Sequence, residues 1–320
     1  MKTRICIAVV LIVFTVSVEA QQLHAWSSIQ QLRYHVNPAV VNLYDLYTDG
    51  NPLTIDLAYN RQWSGYEDAP KTMMAGVQYS NVYSHMTFGG FVLNDLFGPT
   101  DYTQVQLQYS YQLHFARDET HFLSGGLALS AMQIRVQAED FITETSGDPL
   151  LANTTQSKIT PNVMVGCYYQ NKLSGFGDGG TFLFAGLSAK QLIGSPVTFD
   201  GIAGNAGSLD RELHTYAFAG VRHYYDRWGY DYVEPYVSAQ YVSGAPLHYD
   251  FGFRLSAARQ HVFAGAGLSS TFQAHWQIGL GVTQAFTLMY TNGFYLGKTL
   301  AAAAGASHEV VLSFRNLLGW

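Results

Sequence analysis

Residues 104–115 read QVQLQYSYQLHF, and this run decides the fold class. Every odd position is apolar or aromatic, and every even position is polar without a formal charge. Because successive side chains of a β-strand point to opposite faces, the run predicts a strand with one apolar and one polar face. Its length is close to the roughly 9–11 tilted residues with which a strand crosses a bilayer. The pattern is typical of a barrel wall between outer-membrane lipid and a polar interior, and a long strand of a soluble sandwich is the alternative.

The N-terminus has the features of a secretory signal peptide. Lys2 and Arg4 precede an apolar stretch over 5–18, and the small residue Ala20 follows at a suitable distance for cleavage. The apolar stretch is too short for a comfortable helical span of a bilayer. We therefore expect residues 1–20 to be a signal peptide that is removed on export.

The composition agrees with an exported membrane protein that crosses the bilayer as β-strands. Charged residues make up only 12% of the chain and aromatic residues 14%. The apolar residues of the expected mature chain are spread through short alternating runs and do not form a long apolar helix. The formal net charge of −6, without a cluster of Lys and Arg, argues against a nucleic-acid partner. Cys167 is the single cysteine after cleavage, so no intramolecular disulfide is expected.

The alternating runs predict an all-β, transmembrane outer-membrane barrel of about 14 antiparallel strands over residues 53–320. An even number of strands is what single-chain bacterial barrels contain. The candidate strands are 53–60, 71–80, 85–93, 102–115, 120–136, 158–170, 180–191, 212–225, 232–242, 247–257, 261–270, 273–282, 285–295 and 307–315.

The connections between the candidate strands alternate in length, and this predicts an orientation. Long gaps follow the odd-numbered strands, for example 94–101, 137–157 and 192–211. Two gaps break the pattern, because 171–179 is long for a periplasmic turn and 243–246 is short for an outer loop. Outer-membrane barrels have long extracellular loops and short periplasmic turns, so both termini are expected in the periplasm. Residues 21–52 precede the first clear strand and form a polar periplasmic segment that either plugs the barrel or binds a partner.

A search for catalytic chemistry finds no recognisable motif. The sequence has no nucleophile elbow, no zinc-binding His-Glu-x-x-His and no phosphate-binding loop. Its histidines, among them His114 and His275, are scattered over different strands and are interpreted as lining of a polar interior. The acidic residues Asp56, Glu234 and Asp250 of the candidate strands do not form a recognisable ring. We therefore expect no enzymatic activity, no cofactor and no metal.

Four short motifs carry a resemblance to a known family. They are Asn37-Pro38-Ala39, Arg61-Gln62-Trp63, Ala69-Pro70 with Thr72, and Ser307-His308-Glu309. In this order and position they resemble the PorP/SprF family, Bacteroidetes outer-membrane proteins of the type IX secretion system and of gliding motility. The motifs also have a structural interpretation, because a tryptophan such as Trp63 suits the membrane interface and Pro70 suits the start of a strand.

The resemblance implies a non-enzymatic barrel that links the outer membrane to periplasmic secretion components, such as ring or peptidoglycan-binding proteins. It also implies a role in the export or anchoring of a surface adhesin. The composition equally permits an outer-membrane porin or a transporter of hydrophobic solutes. Arg227 and Trp228 form a candidate partner contact in a polar turn, because paired tryptophan and arginine often anchor interfaces. A place in the interfacial aromatic belt is the alternative for Trp228.

Overall fold

Fourteen long antiparallel strands form a closed barrel. The computed structural model describes residues 32–41, 51–81, 83–115, 121–137, 155–174, 180–199, 208–209, 211–226, 230–283, 285–297 and 305–318. Within these residues each wall strand pairs with two neighbours, and the pairing of the first strand with the last closes the ring. The wall strands are β1 (Asn51–Arg61), β2 (Lys71–Asn81), β3 (Met86–Phe97), β4 (Thr100–His114), β5 (Phe122–Val136), β7 (Thr160–Ser174), β8 (Thr181–Lys190), β11 (His214–Tyr224), β12 (Tyr232–Val242), β13 (His248–Ala257), β14 (Val262–Ser269), β15 (Gln273–Gly281), β16 (Phe286–Tyr295) and β17 (Ser307–Leu318).

The remaining described elements are short. Strand β6 (Thr155–Gln156) extends the edge of β5, and β9 (Val197–Thr198) pairs with β10 (Ser208–Leu209). Helix α1 (Arg33–Val36) has a single turn. In the described part of the chain, no helix has the length and apolar character needed to span a membrane.

The two faces of the wall carry opposite chemistry. On β4, Leu107 is 69% exposed on the outer face, whereas its neighbour Gln106 is 1% exposed on the inner face. Strand β2 shows the same alternation, and around the ring large apolar side chains are exposed outside while Gln, Ser, Thr and Asn are common among the buried inner residues. The predicted two-faced wall is therefore confirmed.

This distribution is the reverse of that in a water-soluble protein. Soluble monomers rarely expose contiguous apolar patches larger than a few hundred Å². Here apolar side chains cover the outer face of strands around the ring, while the inside holds many buried polar side chains together with a cluster of buried apolar ones. A soluble sandwich would place its apolar faces between two sheets, so that alternative is wrong. The prediction of a transmembrane barrel with 14 antiparallel strands is confirmed.

The barrel has two distinct ends. The loop end carries the connections 62–70, 98–99 and 296–306, together with the long connections from β5 to β7 and from β8 to β11. The turn end carries connections such as 225–231 and 258–261, and it also holds the first residue of β1 and the last residue of β17. The longest connections are at the loop end, as predicted, but this end also carries the short connections 98–99, 243–247 and 270–272, so the segregation by length is only partial.

One predicted loop is wrong. Residues 94–101 were expected to form a loop, but β3 runs to Phe97 and β4 begins at Thr100, so only a tight turn separates them. The Asn94 side chain donates a hydrogen bond to Asp101 Oδ1 across the two strands (2.6 Å). These polar residues satisfy one another as part of the sheet, and the strands therefore continue beyond the apolar stretch.

Candidate functional site

The barrel interior contains a segment of the chain itself. Residues 32–41 are all buried, and their contacts are with inner-face residues of the wall. The His35 ring lies 4.8 Å from the Phe91 ring of β3. Gln78 of β2 donates a hydrogen bond to the Val40 carbonyl oxygen (2.8 Å). We call residues 32–41 the interior segment.

The Asn-Pro-Ala motif forms the best-fixed part of the interior segment. Asn37 Nδ2 donates to the backbone carbonyl oxygen of Cys167 on β7 (2.9 Å), and Asn37 Oδ1 accepts from the backbone N–H of Ala39 (2.9 Å). The wall accommodates this turn at two glycines. A Cβ atom on Gly126 would lie 2.4 Å from the Ala39 nitrogen, and one on Gly166 would lie 2.1 Å from Asn37 Oδ1. Any larger residue at either glycine would clash with the motif.

A buried ionic cluster fixes the start of the interior segment. Arg33 forms an ion pair with Glu234 of β12, and Arg222 of β11 donates from Nε to Glu234 Oε2 (2.5 Å). Arg33 also stacks its guanidinium group 4.1 Å from the centre of the Phe184 ring on β8. Glu234 is fully buried, and a buried carboxylate without such partners would be strongly unfavourable.

The next residue, Tyr34, contacts the opposite side of the barrel. A Cβ atom on Gly76 of β2 would lie 2.2 Å from the Tyr34 hydroxyl oxygen. Burial, with the negative charge of Asp56 on β1, raises the pKa of Tyr34 well above its ordinary value. Arg33 and Tyr34 therefore contact opposite walls of the barrel.

Three of the four family motifs meet at the loop end. Because the first and last wall strands pair, Arg61 lies directly opposite His308. Beyond β1, the Gln62 backbone N–H donates to the Pro70 carbonyl oxygen (3.0 Å), which closes the loop 62–70. Trp63 Nε1 donates to the Tyr295 hydroxyl at the end of β16 (3.1 Å). We call the loop 62–70 the motif loop.

The motif residues next to this loop divide between the two faces of the wall. Thr72 points inward and donates a hydrogen bond to Asp95 (2.5 Å), and Ser307 and Glu309 are also buried inside. His308 lies on the outer face, where its Nδ1 is 2.7 Å from the Tyr290 hydroxyl. Ala69, like Pro70, is buried at the base of the motif loop. The fourth motif, Asn37-Pro38-Ala39, lies apart from these residues in the interior.

A pocket of about 530 Å³ opens beside the motif loop. Trp63 and Tyr66 form one side, and Phe97 with Tyr295 form another. Glu67 and Asp68 are exposed at this pocket. The resemblance marked Trp63 and Pro70 in the sequence, but it did not mark the aromatic residues of β3 and β16 that complete the pocket.

The candidate partner contact, Arg227 and Trp228, lies outside the described residues and stays a prediction. The residues that flank it form an ordered turn, in which Asp226 Oδ1 accepts backbone N–H groups of Tyr230 (3.0 Å) and Asp231 (2.9 Å). This turn is at the turn end, opposite the motif loop.

Sequence reasoning missed one polar cluster inside the barrel. His275 Nε2 lies 3.2 Å from the Tyr236 hydroxyl, and His275 Nδ1 lies 3.6 Å from Asp250 Oδ2. The three residues come from different strands, and only the strand register could have brought them together. Across the described residues, His, Cys, Asp and Glu side chains nowhere form a group of three suited to hold a metal ion.

The fold defines a transmembrane β-barrel whose interior holds its own N-terminal segment. The sequence matches the family of the type IX secretion system membrane protein PorP/SprF over residues 18–314. The chain therefore belongs to the PorP/SprF family, as the four motifs predicted. No curated protein of known function is similar enough to this chain to count as a match.

Several solved structures are similar to this chain. CdiB from Acinetobacter baumannii is 9% identical over 84% of this chain, with a TM-score of 0.46, and this chain spans 60% of the length of CdiB. The toluene transporter TodX of Pseudomonas putida is 10% identical, with coverage of 92% of this chain and 94% of TodX and a TM-score of 0.47. The toluene transporter TbuX of Ralstonia pickettii is 10% identical, with coverage of 88% and 92% and a TM-score of 0.48.

Proposed function

We propose that this protein is a non-enzymatic barrel of the type IX secretion system in the outer membrane of a Bacteroidetes-like Gram-negative cell. In this role it links the outer membrane to periplasmic secretion or gliding components, and it supports the export or anchoring of a surface adhesin. Family membership and the apolar outer face of the barrel support this role.

The occupied interior is the observation that carries the proposal. A diffusion porin or a transporter of hydrophobic solutes needs a path for the solute through or into the wall. Here the interior segment is buried, paired to Glu234 and hydrogen-bonded to backbone groups of β7. A packed interior of this kind favours a role in protein contacts at the two ends of the barrel over a role in conduction.

The proposal includes an orientation, with both termini in the periplasm. Barrels of this type have short periplasmic turns and longer extracellular loops. The longest connections, from β5 to β7 and from β8 to β11, are at the loop end, and the ends of the barrel chain are at the turn end. The turn end would then face the periplasmic machinery, and the motif loop would face the cell exterior.

Site-specific photo-crosslinking tests this arrangement in cells. A photoreactive amino acid replaces either Tyr230, which is 37% exposed at the turn end, or Tyr66, which is 50% exposed at the loop end. We expect crosslinks from position 230 to periplasmic secretion components and none of these from position 66. The same periplasmic crosslinks from position 66, and none from position 230, would contradict the orientation.

Two further measurements test the role itself. Trp228→Ala is expected to weaken the periplasmic crosslinks from position 230 while the barrel still inserts into the membrane. Deletion of the whole protein is expected to stop export of the surface adhesin without changing the uptake of small solutes. The alternative function as a diffusion porin would be favoured if the purified protein forms large, steady pores in planar bilayers and export stays intact after deletion.

A further inference from the structure

The pocket beside the motif loop has the construction of a binding site. The motif loop is held at both sides, because the Ser64 N–H donates to the Ala306 carbonyl oxygen (2.8 Å) and Gly305 packs against Gly65. Trp63 adopts a φ of +52°, in the left-handed region that is unfavourable for residues other than glycine. Six other described non-glycine residues, all in connections between strands, also adopt a positive φ, so this conformation marks a tight turn and is not by itself evidence of binding.

The pocket exposes aromatic surface that the fold does not bury. Tyr66 is 50% exposed and Phe97 is 46% exposed, although both line a concave site near the end of the barrel. The volume of about 530 Å³ is in the range of ligand-binding pockets. Lipid contact does not explain this exposure, because Phe97 follows the buried Asp95 by two residues and Tyr295 follows the buried Thr291 by four, which places both on the inner side of their strands.

The described lining of the pocket carries negative charge. Among the described residues that line it, Glu67 and Asp68 are charged, and none is Lys, Arg or His. Aromatic faces attract cations, and carboxylates pair with them, so both features favour the same ligand. The long methylene stems of Lys and Arg can cover apolar surface while the charged group reaches an acidic rim. Fatty acids and other anionic ligands would be repelled by the same two carboxylates.

We propose that this pocket binds a Lys or Arg side chain presented by an exposed basic segment of a partner protein. Charge complementarity between these carboxylates and a cationic side chain supports a basic segment as the ligand. The described lining residues belong to the connections 62–70 and 98–99 and to the adjoining ends of β3 and β16, at the loop end of the barrel. The choice of a protein partner rests on the proposed secretion role. In the proposed orientation this pocket faces the exported surface protein.

A binding assay with purified full-length protein in nanodiscs of neutral lipid tests the assignment. The probe is a fluorescent capped peptide with two arginines separated by glycine, and the comparison peptide carries glutamine in place of arginine. We expect the arginine peptide to bind and the glutamine peptide to bind at least about 5-fold more weakly. Equal binding of the two peptides would overturn the proposal, because the pocket would then recognise only apolar or backbone groups.

Matched variants separate the pocket from the overall negative charge of the protein. The double change Glu67→Gln with Asp68→Asn is expected to weaken binding about 5-fold or more. The control Glu212→Gln removes an exposed carboxylate outside the pocket lining and is expected to leave binding unchanged. Equal losses in both variants would mean that the peptide senses net charge alone, and the proposal would be wrong.

Aromatic variants test the second element of the site. Tyr66→Ala is expected to weaken binding about 2- to 5-fold. Tyr249→Ala removes a similarly exposed tyrosine of β13 (47%, against 50% for Tyr66), outside the pocket lining, and is expected to have no effect on binding. An unchanged affinity of Tyr66→Ala would overturn the aromatic contact. Because the assay uses purified protein, its failure would reject the pocket assignment alone, and the crosslinking and export experiments decide the secretion role separately.

Discussion

The depth of one leucine in the bilayer gives the most direct test of the transmembrane barrel. Leu107 is the eighth of the 15 residues of β4 and is 69% exposed on the outer face. At about 3.3 Å per residue and a tilt of about 45°, β4 extends over about 35 Å along the membrane normal. The hydrocarbon layer is about 30 Å thick, so Leu107 lies close to its midplane.

Leu107→Arg is therefore expected to lower the free energy of unfolding by about 2–4 kcal/mol. Leu113→Arg is the matched control, because Leu113 has the same side chain on the same face of β4 and is 54% exposed. It lies six residues nearer the turn end, about 14 Å further along the membrane normal. At that depth an arginine is expected to lower the free energy of unfolding by only about 0–1 kcal/mol.

The measurement is reversible unfolding by denaturant from lipid vesicles, followed by tryptophan fluorescence. The informative quantity is the difference in the free energy of unfolding between Leu107→Arg and Leu113→Arg, because both variants add the same charge to the same strand. Equal losses at positions 107 and 113 would refute a depth-dependent lipid environment around β4. Gln108 is not a suitable control, because it is only 6% exposed and lies in the packed interior.

Two further predictions concern the interior segment. Gly126→Val would place a side chain against the Asn-Pro-Ala motif and is expected to displace the segment, which should raise the conductance in planar bilayers. The control Gly125→Val points into open space and should conduct like the unchanged protein, so equal conductance of both variants would contradict the packing. Arg33→Met removes a charged hydrogen bond to Glu234 and is expected to lower stability by about 1.5–3 kcal/mol. Unfolding in vesicles measures this loss, and an unchanged midpoint would mean that the ion pair is replaced by another partner.

The wall of the barrel could be predicted from the sequence because its signal is local. In β4 the polarity of each residue shows which face of the wall it occupies. Positions that face lipid are apolar, and the alternate positions that face the interior are polar. Similar alternating runs recur along the chain, and the predicted number and antiparallel arrangement of the strands followed from them. No long-range information was needed for this part of the fold.

The strand ends were predicted less well, and β3 with β4 show the reason. Asn94, Asp95 and Asp101 are polar, so they resembled a loop in the sequence. In the structure they belong to paired strands, where Thr72 bonds Asp95 and Asn94 bonds Asp101. Strands longer than the hydrocarbon layer lose their apolar face where they leave the lipid, and the alternation then no longer marks them.

The contact between the family motifs could be predicted from barrel closure, although no local sequence pattern indicates it. Arg61 and His308 are 247 positions apart in sequence but directly opposite in the sheet. A closed barrel must pair its first strand with its last, so this contact follows from the fold class once closure is assumed. The pocket does not follow in the same way. Phe97 ends β3 and Tyr295 ends β16, and their place beside Trp63 depends on how these strand ends and the motif loop are arranged in space.

The interior segment lay beyond sequence reasoning because its contacts come from opposite walls. Arg33 pairs with Glu234 of β12, whereas its neighbour Tyr34 lies against Gly76 of β2 and beside Asp56 of β1. Strands β2 and β12 are on opposite sides of the 14-strand ring. The consecutive residues Arg33 and Tyr34 therefore connect two opposite sides of the barrel wall. Removal of the segment would leave Glu234 and the inner glycines without these contacts, so the segment contributes to the stability of the wall in addition to filling the interior.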